Sequence, residues 1–429
     1  MAPYDVVLFG PTGVTGREVA RYLGDRAPML GLRWAVAGRD RARIDEALRA
    51  VGAVPDAVLL ADTASAASIA AMVEQARVVA NLVGPYARFG EPVHRACAQA
   101  GVHQLDLTGE IDWVHDMIDR YHTVAAVSGA AIVPSAGFES LPFDLGARFA
   151  ATTAHARHGE PVVDVDAAVT ITTTARLGGI ADAVSGGTYA SMVEMLRRDR
   201  GRAADPHALE PGGPTGRRGY DLRPRRHTGT GAWLAPLFPT PFLNPPVVHR
   251  SAALLRASGD PVFAPSFRYR EGTVASSMLP GPDLPGAAPA VSAALAGSQY
   301  LLSAAGALPS VVRRSMADAL ARIGPSPGEG PRPETLDAWS YRIDVRAVTV
   351  SGGTADVVVE AAGHPGYKST ATLVGEAALA LAEMSAPRAG YGTPATVLGI
   401  GDLARFTHAG MQIRVVDPPA AVGGRRGGG

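Results

Sequence analysis

Three glycines in Gly10-Pro11-Thr12-Gly13-Val14-Thr15-Gly16 are spaced to hold a phosphate. The run follows Tyr4-Asp5-Val6-Val7-Leu8-Phe9, which reads as a buried strand. It precedes Val19, Ala20 and Leu23, which share one face of a helix. Strand, glycine turn and helix form the layout that binds a dinucleotide. The first glycine permits the turn, the second lets backbone approach a pyrophosphate, and the third lets helix pack on strand. Unpaired N–H groups at the helix start favour the phosphate charge. The spacing is G-x-x-G-x-x-G rather than G-x-G-x-x-G, so the flanking strand and helix carry much of the assignment.

A second short apolar run, Arg33-Trp34-Ala35-Val36-Ala37, ends at Gly38-Arg39-Asp40. In a dinucleotide fold this strand end faces the adenosine ribose. An acid there bonds a free 2′-hydroxyl; an arginine accommodates a 2′-phosphate. Gly38 and Arg39 therefore point to NADP(H), because a guanidinium fork matches phosphate. The alternative is a solvated Arg39 beside a helix-capping Asp40. Asp62, after the strand Ala57-Val58-Leu59-Leu60, either contacts adenine or caps the helix carrying Ile69, Met72 and Val73; the cap is the preferred reading.

Further chemistry-bearing residues fall at strand exits, the edge that lines the ligand crevice of such a sheet. Asn81, Val83, Gly84, Pro85 and Tyr86 leave the fourth strand and border the expected nicotinamide ribose. Asp106, Thr108 and Glu110 leave the fifth; Glu110 can equally serve the start of the next helix. Ser135, Phe138 and Glu139 follow Ala131-Ile132-Val133-Pro134, the sixth. Tyr86, Glu110 and Glu139 are the candidate catalytic residues, and Thr108, Ser135, Phe138 and Gly187 the candidate substrate contacts. Cys97 lies on the packing face of its helix with Val93 and Ala100 and reads as core. His115 and His122 show no metal-ligand spacing and read as surface; no metal is expected.

The elements that position these groups account for the first part of a chain of 429 residues, enough for two domains. From about residue 160 the pattern changes to period two. Val163, Val165, Ala167, Val169 and Ile171 alternate with more polar neighbours, as do Trp339, Tyr341, Ile343, Val345 and Ala347; Ser351-Gly352-Gly353 turns the latter run back. A mostly antiparallel sheet is expected there. Arg197 to Arg226 holds nine arginines, either a solvated loop or a docking patch for an acidic carrier or a coenzyme A phosphate. Ala287 to Val312 is apolar but diluted by Pro289, Gly297, Ser303 and Pro309. A buried helix pair is the default there, with a lid or peripheral membrane contact as the alternative and no transmembrane span expected. The formal net charge of +0 gives no bulk field for nucleic acid. One cysteine and an early first strand fit a reducing, cytoplasmic compartment without a signal peptide.

Taken together, the glycine turn, Ala37-Gly38-Arg39, Val83-Gly84-Pro85-Tyr86, Asp106-Leu107-Thr108-Gly109-Glu110 and Gly137-Phe138-Glu139-Ser140-Leu141-Pro142-Phe143-Asp144 resemble the saccharopine dehydrogenase-like oxidoreductases. Ser185-Gly186-Gly187-Thr188, Pro327-Gly328-Glu329-Gly330-Pro331 and Gly366-Tyr367 with Thr370-Ala371 resemble the branch known as trans-acting enoyl reductases. The chain departs from the family pattern at Pro11, usually alanine, and at Glu139 and Phe143, usually aspartate and serine.

The resemblance implies an NADPH-dependent reductase acting on a C=C bond of an enoyl thioester for polyketide or lipid biosynthesis. The expected partners are a carrier-bound acyl chain and a polyketide synthase or acyl carrier protein. Imine reduction is the alternative chemistry and would call on Arg176, Arg268 or Arg342 to bind carboxylates; a non-catalytic nucleotide scaffold is the third. The expected fold is α/β: a Rossmann-type doubly wound parallel sheet over residues 1–150 and an α+β domain over 151–365. A segment over 366–418 returns to the first domain, and 419–429 is a disordered tail. A homodimer is the expected assembly.

Overall fold

The computed structural model describes residues 2–175, 185–197, 205–213, 219–237, 241–278, 286–306, 308–325 and 329–416. Arg176, the 419–429 tail and parts of the arginine-rich and 327–331 segments lie outside them. The first half alternates strand and helix. It runs β1 (Tyr4–Phe9), α1 (Val14–Met29), β2 (Trp34–Gly38), α2 (Arg41–Val51), β3 (Ala57–Leu60), α3 (Ala66–Val73), β4 (Ala76–Asn81), α4 (Tyr86–Phe89), α5 (Glu91–Ala100), β5 (His103–Asp106), α6 (Ile111–Ser128), β6 (Ala131–Val133) and α7 (Leu141–His158).

The second half runs β7 (Val162–Thr173), α8 (Gly186–Arg197), β8 (Arg225–Arg226), β9 (Trp233–Ala235), α9 (Asn244–Ala257), β10 (Phe263–Val274), α10 (Ala287–Gly306) and α11 (Ser310–Ala321). It continues with β11 (Trp339–Thr349), β12 (Thr354–Ala362), α12 (Thr370–Glu383), β13 (Gly390–Tyr391), α13 (Pro394–Val397) and β14 (Met411–Val416).

The first sheet has the order β3-β2-β1-β4-β5-β6-β13, and every pairing is parallel. Its central strands β1, β2 and β4 are buried on both faces and read as nearly unbroken apolar runs, while the edge strand β3 is only half-buried. The order reverses at β1, so the crevice opens where α1 begins, with the β2 exit on one side and the β4, β5 and β6 exits on the other.

The second sheet, β14-β12-β11-β7-β10-β9-β8, is antiparallel except at β7–β10. Its alternation is what period two dictates. Val165, Val169, Tyr341, Ile343 and Val345 enter the shared core against α7, while Asp164, Arg342, Asp344 and Arg346 take the opposite face. One apolar core runs from α1 and α12 through α7 to this sheet. Within 366–418, β13 joins the first sheet and β14 the second.

Two local expectations are corrected. Among the described residues no helix is long and apolar enough to cross a membrane, but α10 and α11 are not a buried pair. Leu301 is 74% and Val311 71% exposed, because only a narrow stripe such as Ser292, Ala296 and Gln299 is covered. His122 is not a surface residue: it is half-buried, and its Nδ1 accepts the Tyr391 N–H at 3.0 Å.

Candidate functional site

The glycine turn has the shape that its spacing requires. Gly10 takes a φ of +98°, and a Cβ there would meet Val83 at 2.9 Å. A Cβ on Gly16 would lie 2.2 Å from the Gly10 carbonyl oxygen, so only glycine lets α1 pack this closely. Gly13 is different: a Cβ would meet nothing nearer than 4.0 Å, which leaves backbone open to a ligand. Gly13 is also the N-cap of α1 and supplies no side-chain acceptor, and the first turn holds no acid. Pro11 is buried, Thr12 exposed, and Val14 and Thr15 half-buried at the helix start. A phosphate is the natural complement of these uncapped N–H groups.

At the β2 exit, Asp40 caps α2 by accepting the Arg43 N–H at 3.1 Å, and Arg41 pairs with Asp45 at 2.9 Å. Arg39 is exposed and, among the described residues, makes no hydrogen bond or ion pair. A side chain that serves nothing internal, set where a 2′-phosphate belongs, fits NADP(H). Asp62 does not cap α3. Its Oδ1 closes a turn onto the Ala64 N–H at 2.9 Å, and Ser65 is the cap, accepting the Ser68 N–H at 3.3 Å.

At the β4 exit, Asn81 is fully buried. Its Oδ1 accepts the Val83 N–H at 3.1 Å, while its Nδ2 has no partner, an orphaned donor on the crevice edge. Gly84 and Pro85 follow as the approach to α4, and Ser191 of α8 stands over Gly84. The Tyr86 hydroxyl donates to the Asn81 carbonyl at 3.0 Å and accepts the Leu107 N–H at 3.1 Å. Burial holds its pKa well above the ordinary tyrosine value. It locks two strand exits together. Glu110 accepts the N–H groups of Tyr86 and Ala87, both at 2.9 Å, and the Ser191 hydroxyl at 3.2 Å. Its carboxylate caps α4 rather than the helix that it precedes.

Thr108 and Ser135 are buried and equally committed. The Thr108 Oγ1 accepts the Glu110 N–H, and the Ser135 hydroxyl donates to the Thr108 carbonyl. Ser135 sits at a φ of +58°, a strained position for a residue with a Cβ. Asp106 pins it, with Oδ1 accepting the Ser135 N–H at 3.2 Å and the Thr108 N–H at 2.9 Å. The other Asp106 oxygen meets His94 Nε2 at 2.9 Å, and His94 Nδ1 meets the Tyr391 hydroxyl at 2.9 Å. This buried line ties β13 to the crevice edge. Cys97 is buried as expected, and burial raises its thiol pKa.

Of the three catalytic candidates, Glu139 alone keeps a buried carboxylate oxygen without a partner; its carboxyl otherwise takes a hydrogen bond from its own backbone N–H. The residue is half-buried, and its Oε2 is covered and has no partner. Burial, with a smaller push from Asp106, raises its carboxyl pKa to about 7. The carboxyl folds back over Gly137: a Cβ there would lie 2.3 Å from Oε2. Phe138 packs at a tilt against Tyr341 at 4.7 Å and edge-on against Phe143 at 5.5 Å, forming an apolar wall.

The second half closes over this edge. The Gly186 N–H donates to the Glu329 carbonyl at 3.0 Å, and the Ser185 N–H donates to the Tyr367 hydroxyl. A Cβ on Gly330 would be 3.0 Å from both Ser185 and Val14. The Ser185, Gly330 and Tyr367 segments thus meet at the start of α1. Gly187 has open space where a Cβ would be, save Ser185 Oγ at 3.8 Å. Sequence reasoning passed over His364, which is buried with both ring nitrogens unpartnered, between Trp339 at 4.5 Å and Tyr367 at 4.8 Å. Burial lowers its pKa to about 4, so the imidazole is neutral and can donate one hydrogen bond. Its place beside Gly363, Pro365 and Gly366 was the available signal.

Arg268 and Arg342 are not in the crevice. Arg268 pairs with Asp164 at 2.7 Å, and Arg342 pairs with Asp344 at 2.7 Å and Glu360 at 3.5 Å on the far face of the second sheet. The described arginines of the 197–226 segment also have internal roles. Arg197 pairs with Asp318, Arg223 with Asp221 and Arg225 with Asp166, and Arg226 lies over Trp233.

Residues 6–133 match the family described as the saccharopine dehydrogenase NADP binding domain. A Mycobacterium tuberculosis protein is 33% identical over 434 residues, which cover 96% of this chain and 97% of the relative. A Mycobacterium ulcerans protein named trans-acting enoyl reductase is 31% identical over 432 residues, covering 96% and 97%. Among solved structures, the saccharopine dehydrogenase (L-Glu forming) of Saccharomyces cerevisiae aligns over 96% of this chain and 99% of its own, at 13% identity and a TM-score of 0.49.

Proposed function

Because the chain belongs to the saccharopine dehydrogenase-like oxidoreductases, in the branch of the trans-acting enoyl reductases, and is thus an NADP-dependent reductase, we propose that it reduces the C=C bond of an enoyl thioester. The acyl chain would arrive on a polyketide synthase or acyl carrier protein. NADPH, when bound, would supply the hydride for the β-carbon. The residues suited to hold it are Gly10 to Gly16 for the pyrophosphate, Gly38 and Arg39 for the adenosine 2′-phosphate, and Asn81 to Pro85 toward the nicotinamide. In this reading residues 1–150 carry the cofactor, 151–365 wall the substrate, and 366–418 serve both.

The protein's chemical task is the proton at the α-carbon and the charge on the thioester oxygen. Glu139 carries the proposal. It stands at the β6 exit with one carboxylate oxygen unpartnered, and burial raises its carboxyl pKa to about 7, so that it exchanges a proton around neutral pH. It donates the proton, while Tyr86, Glu110, Thr108 and Ser135 hold the strand exits in place. His364 supplies a neutral donor on the substrate side, and Phe138 a wall for the acyl chain. The imine alternative has less support, since Arg268 and Arg342 are already neutralised by acids.

The test is NADPH consumption with 2-enoyl thioesters on pantetheine and on a carrier protein, run beside cyclic imines and amino acid–keto acid pairs. Turnover with enoyl thioesters alone is expected. Turnover with imines alone overturns the assignment, and tight NADPH binding without turnover of either set leaves the scaffold reading.

A further inference from the structure

We propose a mononuclear divalent transition-metal site, zinc by its donor set, formed by His207, Glu210 and His249, none of which is among the crevice residues named above. The residues come from two elements. Asp205 to Glu210 forms a helical turn, with the Ala208 N–H donating to the Asp205 carbonyl and the Glu210 N–H to the His207 carbonyl, both at 3.0 Å. This places His207 and Glu210 three residues apart on one side of the turn. His249 comes from α9, where it is 3% exposed and packed edge-on against Phe267 at 5.5 Å. The buried Arg250 fixes the turn to the body of the molecule by donating to the Leu209 carbonyl at 2.7 Å and to the Tyr391 carbonyl at 2.6 Å.

The donor atoms converge. His207 Nδ1 lies 3.0 Å and His249 Nδ1 3.8 Å from Glu210 Oε1, and one ligand atom from each residue falls within 4.8 Å of the others. Ligands about 2.0–2.2 Å from a tetrahedral zinc stand roughly 3.3–3.5 Å apart, so the two measured separations bracket the required one. Two imidazoles and one carboxylate form a donor set that zinc uses when it keeps a fourth position open. That position has somewhere to face. His207 and His249 line a cavity of about 500 Å³ whose walls include Tyr220, Phe267, Tyr269 and Glu271. An oxygen or sulfur ligand entering the cavity would complete the coordination. Spacing alone could not reveal the site, because His249 is far from the H-x-x-E pair in sequence.

The test is Co²⁺ titration of the full-length, chelator-treated protein. One equivalent per chain with the visible absorption of a tetrahedral cobalt site is expected, displaced by Zn²⁺. His207→Gln and Glu210→Gln should each weaken Co²⁺ binding by more than the roughly 10–100-fold that loss of an outer partner costs. NADPH binding should be unchanged in both, which shows that they fold. Absence of stoichiometric binding, or binding that both variants retain at full strength, overturns the site.

Discussion

Among single residues, Glu139 and Arg39 carry the sharpest predictions. A carboxyl raised from 4.5 to about 7 is protonated below that value, so a proton donor loses its proton as pH rises through it. Turnover should therefore fall above about pH 7. Glu139→Gln should lower kcat about 100-fold or more and remove that limb, as pH–rate profiles will report. The same shift has a stability sign. Between the unfolded and folded values the native state binds the extra proton, so Glu139 lowers stability as pH climbs through this window. Arg39→Ala should weaken NADPH by about 1.5–3 kcal/mol, a factor of roughly 13 to 160, and leave NADH nearly unchanged; equal losses in titration would remove the 2′-phosphate contact. Residue type showed where polar groups would cluster but not how they would be spent. Asp106, Thr108 and Glu110 were all visible at a strand exit. Their partners were not, because Asp106 finds the Ser135 N–H 29 positions away and Glu110 finds Ser191 81 positions away.

Among elements, the glycine turn separates packing from binding. Gly16→Ala puts a methyl 2.2 Å from a carbonyl oxygen, and neither backbone can yield cheaply. A loss of about 1–3 kcal/mol is expected, read as a lower denaturation midpoint. Gly13→Ala meets no such obstacle, so stability should hold while NADPH affinity collapses. Periodicity made the strands and the turn legible because side chains report burial directly. It failed for α10 and α11, where alanine satisfies an apolar pattern without filling space. It also missed α12's ionic anchor. Glu376 is fully buried there against Arg405 at 2.6 Å and Arg26 at 3.3 Å, with the Tyr22 hydroxyl donating to it. Glu376→Ala removes the acceptor of Arg26 and of the Tyr22 hydroxyl, while Arg405 keeps Glu383 at 2.6 Å; it should cost about 3 kcal/mol, the low end for breaking a buried pair, in equilibrium unfolding.

For the whole molecule, the two sheets share one core, and the crevice is shaped by both. The parallel sheet contributes strand exits; the later segments at Ser185, Gly330 and Tyr367 close over them. Composition and pattern foretold two architectures but not their interlock, which depends on contacts between distant parts of the chain. The return of the chain has a consequence for biosynthesis. Helix α12 packs on β1, β4 and β5, sharing a core with Val78, Ala80 and Leu105. At ribosomal rates of about 5–20 residues per second, those strands wait on the order of tens of seconds before residue 370 is made. Their uncovered face is a natural binding surface for holdase chaperones during that delay. A nascent chain halted at residue 365 should therefore stay chaperone-bound and protease-sensitive, and one carried past β13 should release and gain resistance. The cofactor half of the molecule is the first to be made and among the last to be finished.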